Sequence, residues 1–283
     1  MKQTYKIGTL KLKNPFLLAP MLEPNDIAFR LLCKKAGASL TYTGMTNPLS
    51  KQKLVLDDKP ALQLFCNSTE NLSEFIKKYD KKVSLWDFNL GCPSKLAKKF
   101  CHGAYLDDLD VIEQILITIR KSTKKPVTIK LRKSPNALKI LKIAEKYCDA
   151  IAIHPRTNAQ GYSGTPDLEF AKEVKKQTSL PVIYSGNVNE KNAHELLEIF
   201  DFVMLGREAI GNPNIFARLT GKKALYDFKD YLKLATLKKY HLPFRQIKYQ
   251  AMSFTKGLKK AKVIRREIVH AKTVEDIKRI YES

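Results

Sequence analysis

The chain has 283 residues, of which 44% are hydrophobic and 28% are charged, and its formal net charge is +23. This length holds one large domain, or one with a small appendage, and the apolar content is enough for a sizeable core. The charge favours a polyanion as the partner, because clustered lysines and arginines release counterions from phosphates. A general bias toward lysine is the alternative, since Lys dominates the positive charge.

The cysteines and the N-terminus exclude several classes of protein. Five cysteines without a CxxC pair argue against a disulfide framework or a zinc site, so we expect reduced thiols and no metal. The N-terminus lacks an apolar signal segment, and no apolar run approaches the length of a membrane span. We expect a cytoplasmic protein that does not associate with membranes and acts as a monomer.

Short apolar runs alternate with amphipathic segments along the first 220 or so residues. The runs predict strands at Phe16–Ala19, Leu40–Thr43, Ala61–Phe65, Leu85–Asn89, Val127–Lys130, Ala150–His154, Val182–Ser185 and Phe202–Leu205. The segments predict helices at Ile27–Ala36, Leu72–Tyr79, Asp108–Lys121, Ala137–Tyr147, Leu168–Gln177 and Asn189–Ile199. This alternation predicts an α/β fold, a (β/α)8 TIM barrel. An open doubly wound sheet is the alternative, but no GxGxxG follows the first strand.

The strand pattern ends after Gly221, and residues 227–283 predict helices with breaks near His241-Leu-Pro243 and Gly257. This tail has 15 Lys and Arg against 6 Asp and Glu, whereas the preceding 226 residues have 36 against 22. We therefore predict a catalytic barrel over residues 1–222 and a small all-helical domain over 227–283 that contacts nucleic acid. A solvated helical cap is the alternative interpretation of the tail.

The segment Trp86-Asp-Phe-Asn-Leu-Gly-Cys-Pro-Ser-Lys95 predicts a strand that stops at a tight turn. Asn89 and Cys92 are close enough to serve one pocket, with an amide for hydrogen bonding and a thiol for proton or nucleophile chemistry. A buried structural cysteine in a turn is the alternative for this segment alone.

Polar or special residues close nearly every predicted strand, where the working residues of a barrel cluster. They are Pro20-Met21, Gln63, Asn89 with Cys92, Lys130 with Arg132, His154 with Arg156, Ser185-Gly-Asn187 and Gly206-Arg207. The last two groups suit a phosphate, because glycines admit close backbone contact and Arg207 supplies a forked charge. Lys130 in the barrel mouth needs an anionic partner, such as a flavin ring on reduction. An ion pair within the barrel is the alternative for Lys130.

These residues fall in motifs that resemble the tRNA-dihydrouridine synthases, a flavin-dependent family. The matching motifs are Ala19-Pro-Met21 with Asp26 and Phe29-Arg30, Gln63, Asn89-Leu-Gly-Cys-Pro93, Lys95, Gly103-Ala104, Thr128-Ile-Lys-Leu-Arg132, His154-Pro-Arg-Thr157 through Gln160, Tyr162 and Gly164, Ser185-Gly-Asn187 and Gly206-Arg207. The likeness runs from about residue 7 to residue 218, and the tail resembles the family's RNA-binding domain more loosely.

The resemblance implies a barrel that carries FMN and a helical domain that binds tRNA. It implies Cys92 as the catalytic acid, and Asn89, Arg132 and Arg156 as residues that bind the substrate. The implied FMN contacts are Pro20, Met21, Leu22, Gln63, Lys130, His154, Ser185, Gly186, Asn187, Gly206 and Arg207. The implied reaction is reduction of the uracil C5=C6 bond: NADPH or NADH reduces FMN, hydride passes to C6, and Cys92 donates a proton to C5. The uridine would have to be flipped out of the folded tRNA.

Several residues depart from the family pattern, and two other functions remain open at this point. Leu22-Glu23 replace a common Ala-Gly, Gly44 an acidic residue, Cys66 a glycine, and Ser185-Gly-Asn187 the usual Asn-Gly-Asp. A flavin-dependent reductase of free pyrimidines, similar to dihydroorotate or dihydropyrimidine dehydrogenase, would need no basic tail. A non-catalytic RNA-binding barrel would not need Cys92, Lys130 and His154 at three strand ends. The subfamily, the modified uridine and the preferred nicotinamide are left open.

Overall fold

The computed structural model describes residues 4–23, 25–223 and 225–282, and its centre is an eight-stranded parallel barrel. A hairpin of β1 (Tyr5–Ile7) and β2 (Leu10–Leu12) precedes the barrel. The barrel strands are β3 (Phe16–Leu18), β4 (Leu40–Thr41), β5 (Ala61–Leu64), β6 (Leu85–Leu90), β7 (Val127–Arg132), β8 (Ala150–His154), β9 (Val182–Ser185) and β10 (Phe202–Leu205). They pair in the order β4-β3-β10-β9-β8-β7-β6-β5, and parallel bridges from Tyr42 to Ala61 and from Thr46 to Leu64 close the sheet. The predicted TIM barrel is confirmed.

Helices follow the strands and then form the tail. Around the barrel they are α1 (Ile27–Ala36), α2 (Leu72–Tyr79), α3 (Lys95–Lys99), α4 (Leu109–Ser122), α5 (Ala137–Tyr147), α6 (Leu168–Lys176), α7 (Ala193–Leu197) and α8 (Asn214–Leu219). In the tail they are α9 (Phe228–Ala235), α10 (Phe244–Phe254), α11 (Ala261–His270) and α12 (Val274–Glu282). α7 starts later than predicted because the side chains of Asn189 and Asn192 bond nearby backbone N–H groups in a turn.

The alternation of side chains along each strand divides the apolar residues into two cores. One core lies between the strands and the helices, and the other fills the lower barrel interior with side chains such as Leu17, Leu85 and Phe202. Ile7 of the β1–β2 hairpin is fully buried in this inner core, so the hairpin covers the amino-terminal end of the barrel. The sequence analysis did not predict this hairpin.

The upper half of the barrel interior is polar, which is unusual for a buried layer unless the groups are partnered. Gln63, Asp87, Thr128 and Lys130 alternate with outward-facing apolar residues on β5, β6 and β7, and all four are buried. β7 runs two residues beyond its predicted end at Lys130. Lys130 therefore projects from within a strand, one pleat below Arg132.

The tail packs against the barrel through a buried interface. Phe228, Tyr231 and Phe254 belong to the outer core, and α9 lies against α1. Gln250 of α10 is fully buried and donates from Nε2 to Asp26 Oδ2 at 2.8 Å. The division into domains at 1–222 and 227–283 stays a prediction. Among the described ranges, no helix has both the length and the apolar character needed to cross a membrane.

Candidate active site

A cavity of about 880 Å³ opens at the carboxyl ends of the barrel strands. Every residue predicted to bind FMN lines it, and so do Asn89, Cys92 and Arg132. Its volume is within the range of about 300–1,000 Å³ that is usual for sites of small molecules and cofactors. Residues far apart in the sequence are therefore brought together as the barrel topology requires.

The turn after β6 presents the thiol of Cys92 to this cavity. Asn89 Oδ1 accepts hydrogen bonds from the backbone N–H groups of Gly91 and Cys92, both at 3.0 Å, which fixes the turn. Cys92 is half-buried, and its Sγ lies 3.3 Å from Ser94 Oγ. Ser94 also caps α3 by accepting from the N–H of Ala97 at 3.1 Å. The thiol is thus accessible from the cavity and held by an ordered turn.

Lys130 brings a buried positive charge to the cavity wall. Burial, together with repulsion from Arg132, lowers its pKa to about 8, while attraction to Asp87 opposes the shift. Lys130 is only 9% exposed, and no carboxylate of the described residues forms an ion pair with it. A buried cation that lacks a close counter-ion makes this part of the cavity suited to an anionic ligand.

His154 is neutral and held between two arginines. Burial, followed by repulsion from Lys130 and the arginines, lowers its pKa to about 2. Arg156 Nη1 lies 3.0 Å from His154 Nε2, and Arg132 Nη2 lies 3.5 Å from Nδ1. A guanidinium only donates and a neutral imidazole accepts at one nitrogen, so the shorter contact assigns Nε2 as the acceptor and the ring proton to Nδ1. His154 therefore offers no charge to a ligand, whereas its ring still shapes the cavity.

The two arginines predicted to bind substrate already have partners in the protein. Arg132 donates to the backbone carbonyls of Gly91 at 3.0 Å and Gly161 at 2.7 Å, so it ties the turn of Cys92 to the loop after β8. Arg156 is fully buried, donates to Gly164 O at 2.5 Å, and does not line the cavity. Its role in substrate binding stays a prediction, whereas its contact with His154 helps to position that ring.

The loops after β9 and β10 form the end of the cavity that was predicted to hold phosphate. Gly186 has φ +146°, and a Cβ there would lie 3.2 Å from the ring of His154, so only glycine suits this position. Asn187 Oδ1 accepts from Arg207 Nη2 at 2.8 Å and from Arg156 Nη2 at 3.1 Å. The guanidinium of Arg207 and the close backbone at Gly186 make a cradle suited to phosphate oxygens, while Arg156 holds Asn187 from behind the cavity wall.

Two residues at the cavity mouth were not in the predicted site. Tyr162 is 58% exposed, and its ring centre lies 5.6 Å from the guanidinium carbon of Arg132 and 5.5 Å from that of Arg207. Lys256 reaches the mouth from the tail and pairs with Glu208 at 3.3 Å. Tyr162 lies in one of the matching motifs, between Gly161 and Gly164, so the sequence could have indicated that it belongs to the site. Nothing in the sequence indicated that Lys256 lies beside Glu208.

Comparison with known proteins identifies the family. The family model described as dihydrouridine synthase (Dus) matches residues 17–281. tRNA-dihydrouridine synthase B of Pasteurella multocida is 34% identical over 233 residues, which cover 75% of this chain and 70% of that protein. A probable tRNA-dihydrouridine synthase of Rickettsia bellii is 33% identical over 237 residues, with 76% and 73% covered. This chain belongs to the dihydrouridine synthase family. The predicted class, an FMN-dependent oxidoreductase that forms dihydrouridine in tRNA with NADPH or NADH, is confirmed.

Solved structures show the same fold in more distant proteins. Morphinone reductase in complex with tetrahydroNAD superposes with a TM-score of 0.53 at 12% identity, covering 81% of this chain and 93% of that one. A mandelate oxidase variant has a TM-score of 0.54 at 14% identity, covering 77% and 73%. At sequence identities this low, the comparison shows only that these proteins share the barrel fold.

The residues of the cavity fit an FMN group. Lys130 supplies a buried cation beside Asn89, where a ring that gains negative charge on reduction would be stabilised. Arg207, Asn187 and the backbone at Gly186 would hold the phosphate, and Pro20, Met21 and Leu22 would border the group from the first loop. The donor set is cationic at both places where FMN carries or acquires negative charge.

Proposed function

We propose that this protein reduces the C5=C6 bond of uridine in tRNA with Cys92 as the general acid. The observation that carries the proposal is the thiol of Cys92, which lies on an ordered turn in the wall of a cavity whose donors suit FMN. Lys130, Arg207 and the backbone at Gly186 would hold FMN here, and the bound group, after reduction by NADPH or NADH, would supply the hydride for C6. Negative charge then develops toward C5, and Cys92 Sγ gives up its proton there.

Asn89 and Tyr162 serve the substrate base in this proposal. Asn89 is 6% exposed, and its second Nδ2 hydrogen remains for a carbonyl oxygen of uracil, because the first is donated to Gln63. Tyr162 offers an exposed aromatic face at the mouth, where a flipped base would stack. Arg132 donates to a carbonyl in the turn of Cys92 and to one in the loop of Tyr162. These bonds fix the distance between the acid and the stacking ring.

The tail contributes the contact with tRNA in this proposal. The tail has 15 Lys and Arg residues against 6 Asp and Glu residues, and one of these lysines, Lys256, lines the mouth of the cavity. α10 also approaches the first loop, where Arg245 lies 3.9 Å from Glu23. Phosphates that follow this basic surface would bring a neighbouring uridine to the cavity, and phosphate contacts offset the cost of flipping it.

We also propose that the protein acts as a monomer in the cytoplasm. One chain supplies the strand ends, the loops and the tail residue that together line the cavity. Sedimentation of the FMN-loaded protein with and without tRNA tests this. A stable dimer that binds one tRNA across both copies would contradict it.

The test of the central proposal is Cys92→Ala in the FMN-loaded protein. Dihydrouridine formation in an unmodified tRNA transcript should fall by at least ~10²-fold, the usual scale for a lost general acid, while FMN content and reduction by NADPH stay unchanged. Cys101→Ala is the matched control, because Cys101 is an exposed cysteine outside the cavity lining. Wild-type turnover by Cys92→Ala would assign the proton to another residue.

A further inference from the structure

The polar interior of the barrel contains a buried carboxylate to which no role has been given. Asp87 on β6 is fully buried directly below the cavity. Its Oδ1 accepts from Thr128 Oγ1 at 2.6 Å, and its Oδ2 accepts from Gln63 Nε2 at 2.6 Å. Burial raises its pKa to about 6, and these two donors and Lys130 oppose the rise. Asp87 is therefore ionised at neutral pH and above.

A directed chain of hydrogen bonds leads from this carboxylate to the catalytic turn. Gln63 gives its Nε2 hydrogen to Asp87, and its Oε1 accepts from Asn89 Nδ2 at 2.7 Å. Asn89 Oδ1 in turn accepts from the backbone N–H groups of Gly91 and Cys92 at 3.0 Å. Each link is short, and Gln63, Asp87 and Asn89 are all at most 6% exposed.

The direction of this chain depends on its first member. A side-chain amide can turn over and exchange its donor and acceptor ends, whereas an ionised carboxylate only accepts. Facing Asp87, the amide of Gln63 must present its nitrogen inward and its oxygen to Asn89. Asn89 must then present its oxygen to the turn. If both amides turned over, an NH₂ group would face the two N–H groups that hold Cys92, and those donors would lose their acceptor.

We propose that Asp87 is a positioning residue that fixes the orientation of the Gln63 and Asn89 amides and thereby holds the turn of Cys92. The inference rests on the proposed role of Cys92 for its effect on turnover, but not for its effect on the turn. It also explains why a carboxylate lies in the barrel core, where an apolar residue would avoid desolvation. Thr128 holds the second oxygen of Asp87, and Lys130 supplies the nearby positive charge.

The experiment compares Asp87→Asn with Thr128→Ser in the FMN-loaded protein. An asparagine at position 87 matches the shape of aspartate but accepts either orientation of Gln63. Two quantities are measured: hydrogen exchange at the amides of Gly91 and Cys92, and the single-turnover rate with an unmodified tRNA transcript. We expect Asp87→Asn to speed exchange and slow turnover, each at least ~10-fold, with FMN content and tRNA affinity unchanged. Thr128→Ser keeps the hydroxyl that donates to Asp87 and loses only a buried methyl group, so both quantities should stay within about threefold of wild type.

A compensating variant separates orientation from a general loss of packing. In Asp87→Asn with Gln63→Glu, the new carboxylate at position 63 accepts from both asparagines, so Asn89 recovers its orientation. Slow exchange at Gly91 and Cys92 should return in this double variant. Exchange that stays fast there, unchanged exchange in Asp87→Asn, or equal losses in Asp87→Asn and Thr128→Ser would each overturn the proposal. Absent dihydrouridine formation by the wild-type protein would instead refute the proposed function, since the exchange measurements need no turnover.

Discussion

Gly211 is where the docking of the tail onto the barrel can be tested by one atom. It follows the last barrel strand with φ +67°, and a Cβ there would lie 2.0 Å from the carbonyl oxygen of Ser253 and 2.3 Å from its carbonyl carbon. Ser253 belongs to α10, so the backbone of the tail lies directly against this glycine. The change to study is Gly211→Ala, which adds that Cβ and little else.

The expected cost has two parts, and the chain offers a control for one of them. An alanine in the left-handed conformation costs roughly 1–2 kcal/mol. Forcing an added carbon against a packed backbone costs a further ~1–3 kcal/mol. Gly221 has the same φ of +67°, and a Cβ there would meet nothing within 4 Å, so Gly221→Ala bears the conformational cost alone. Gly211→Ala should therefore be the more destabilising by about 1–3 kcal/mol.

Urea unfolding gives the two free energies of unfolding, and limited trypsin digestion reports whether the tail stays docked. We expect trypsin to cleave the lysine- and arginine-rich tail of Gly211→Ala first, with the barrel fragment keeping FMN. Affinity for tRNA should fall at least ~10-fold in Gly211→Ala and stay near wild type in Gly221→Ala. Equal free energies of unfolding for both variants would refute the reasoning, because Ser253 would then yield without cost.

Two further predictions concern the cavity. The affinity of the apoprotein for FMN, measured by fluorescence titration, should fall as pH rises above about 8, because the pKa of Lys130 is lowered to that value and the side chain then loses its charge. Lys130→Met should bind FMN more weakly than wild type and should lack this pH dependence. Tyr162→Ala should raise KM for tRNA with little change in FMN content, because a lost base–aromatic stack costs about 1–3 kcal/mol. An unchanged KM would show that Tyr162 does not contact the base.

The barrel and most of its site were predictable because their signals are local. Every predicted strand is present, and α1, α2 and α5 have their predicted bounds. The periodicity that defines these elements is written within each segment, and the topology then places all strand ends at one face. The strand ends named all of the predicted site residues except Leu22, the resemblance supplied their roles, and all of them except Arg156 line the cavity.

What was not predictable depends on contacts between distant segments or on very short elements. The β1–β2 hairpin has three residues in each strand, too few for a period to be recognised. Arg156 lies just past the end of a strand, but its side chain points into the protein. There its guanidinium donates to the carbonyl groups of Ser163 and Gly164 in the same loop. The hydrogen-bond chain from Asp87 joins neighbouring strands, and nothing in the strand sequences fixes which end of an amide faces which neighbour.

The placement of the tail and that of the first barrel loop are linked by one buried side chain. Asp26 Oδ1 accepts from the N–H of Phe29 at 2.9 Å and so caps α1, while its Oδ2 accepts from Gln250 of α10. Burial raises the pKa of Asp26, and the hydrogen bonds from Gln250 and Phe29 oppose the rise, so moving α10 away would remove one donor that favours the charged form. The same loop carries Met21 and Leu22 into the cavity. In the proposed contact with tRNA, a shift of α10 would disturb the 2.8 Å hydrogen bond from Gln250 to Asp26, which lies at the end of the loop predicted to border FMN.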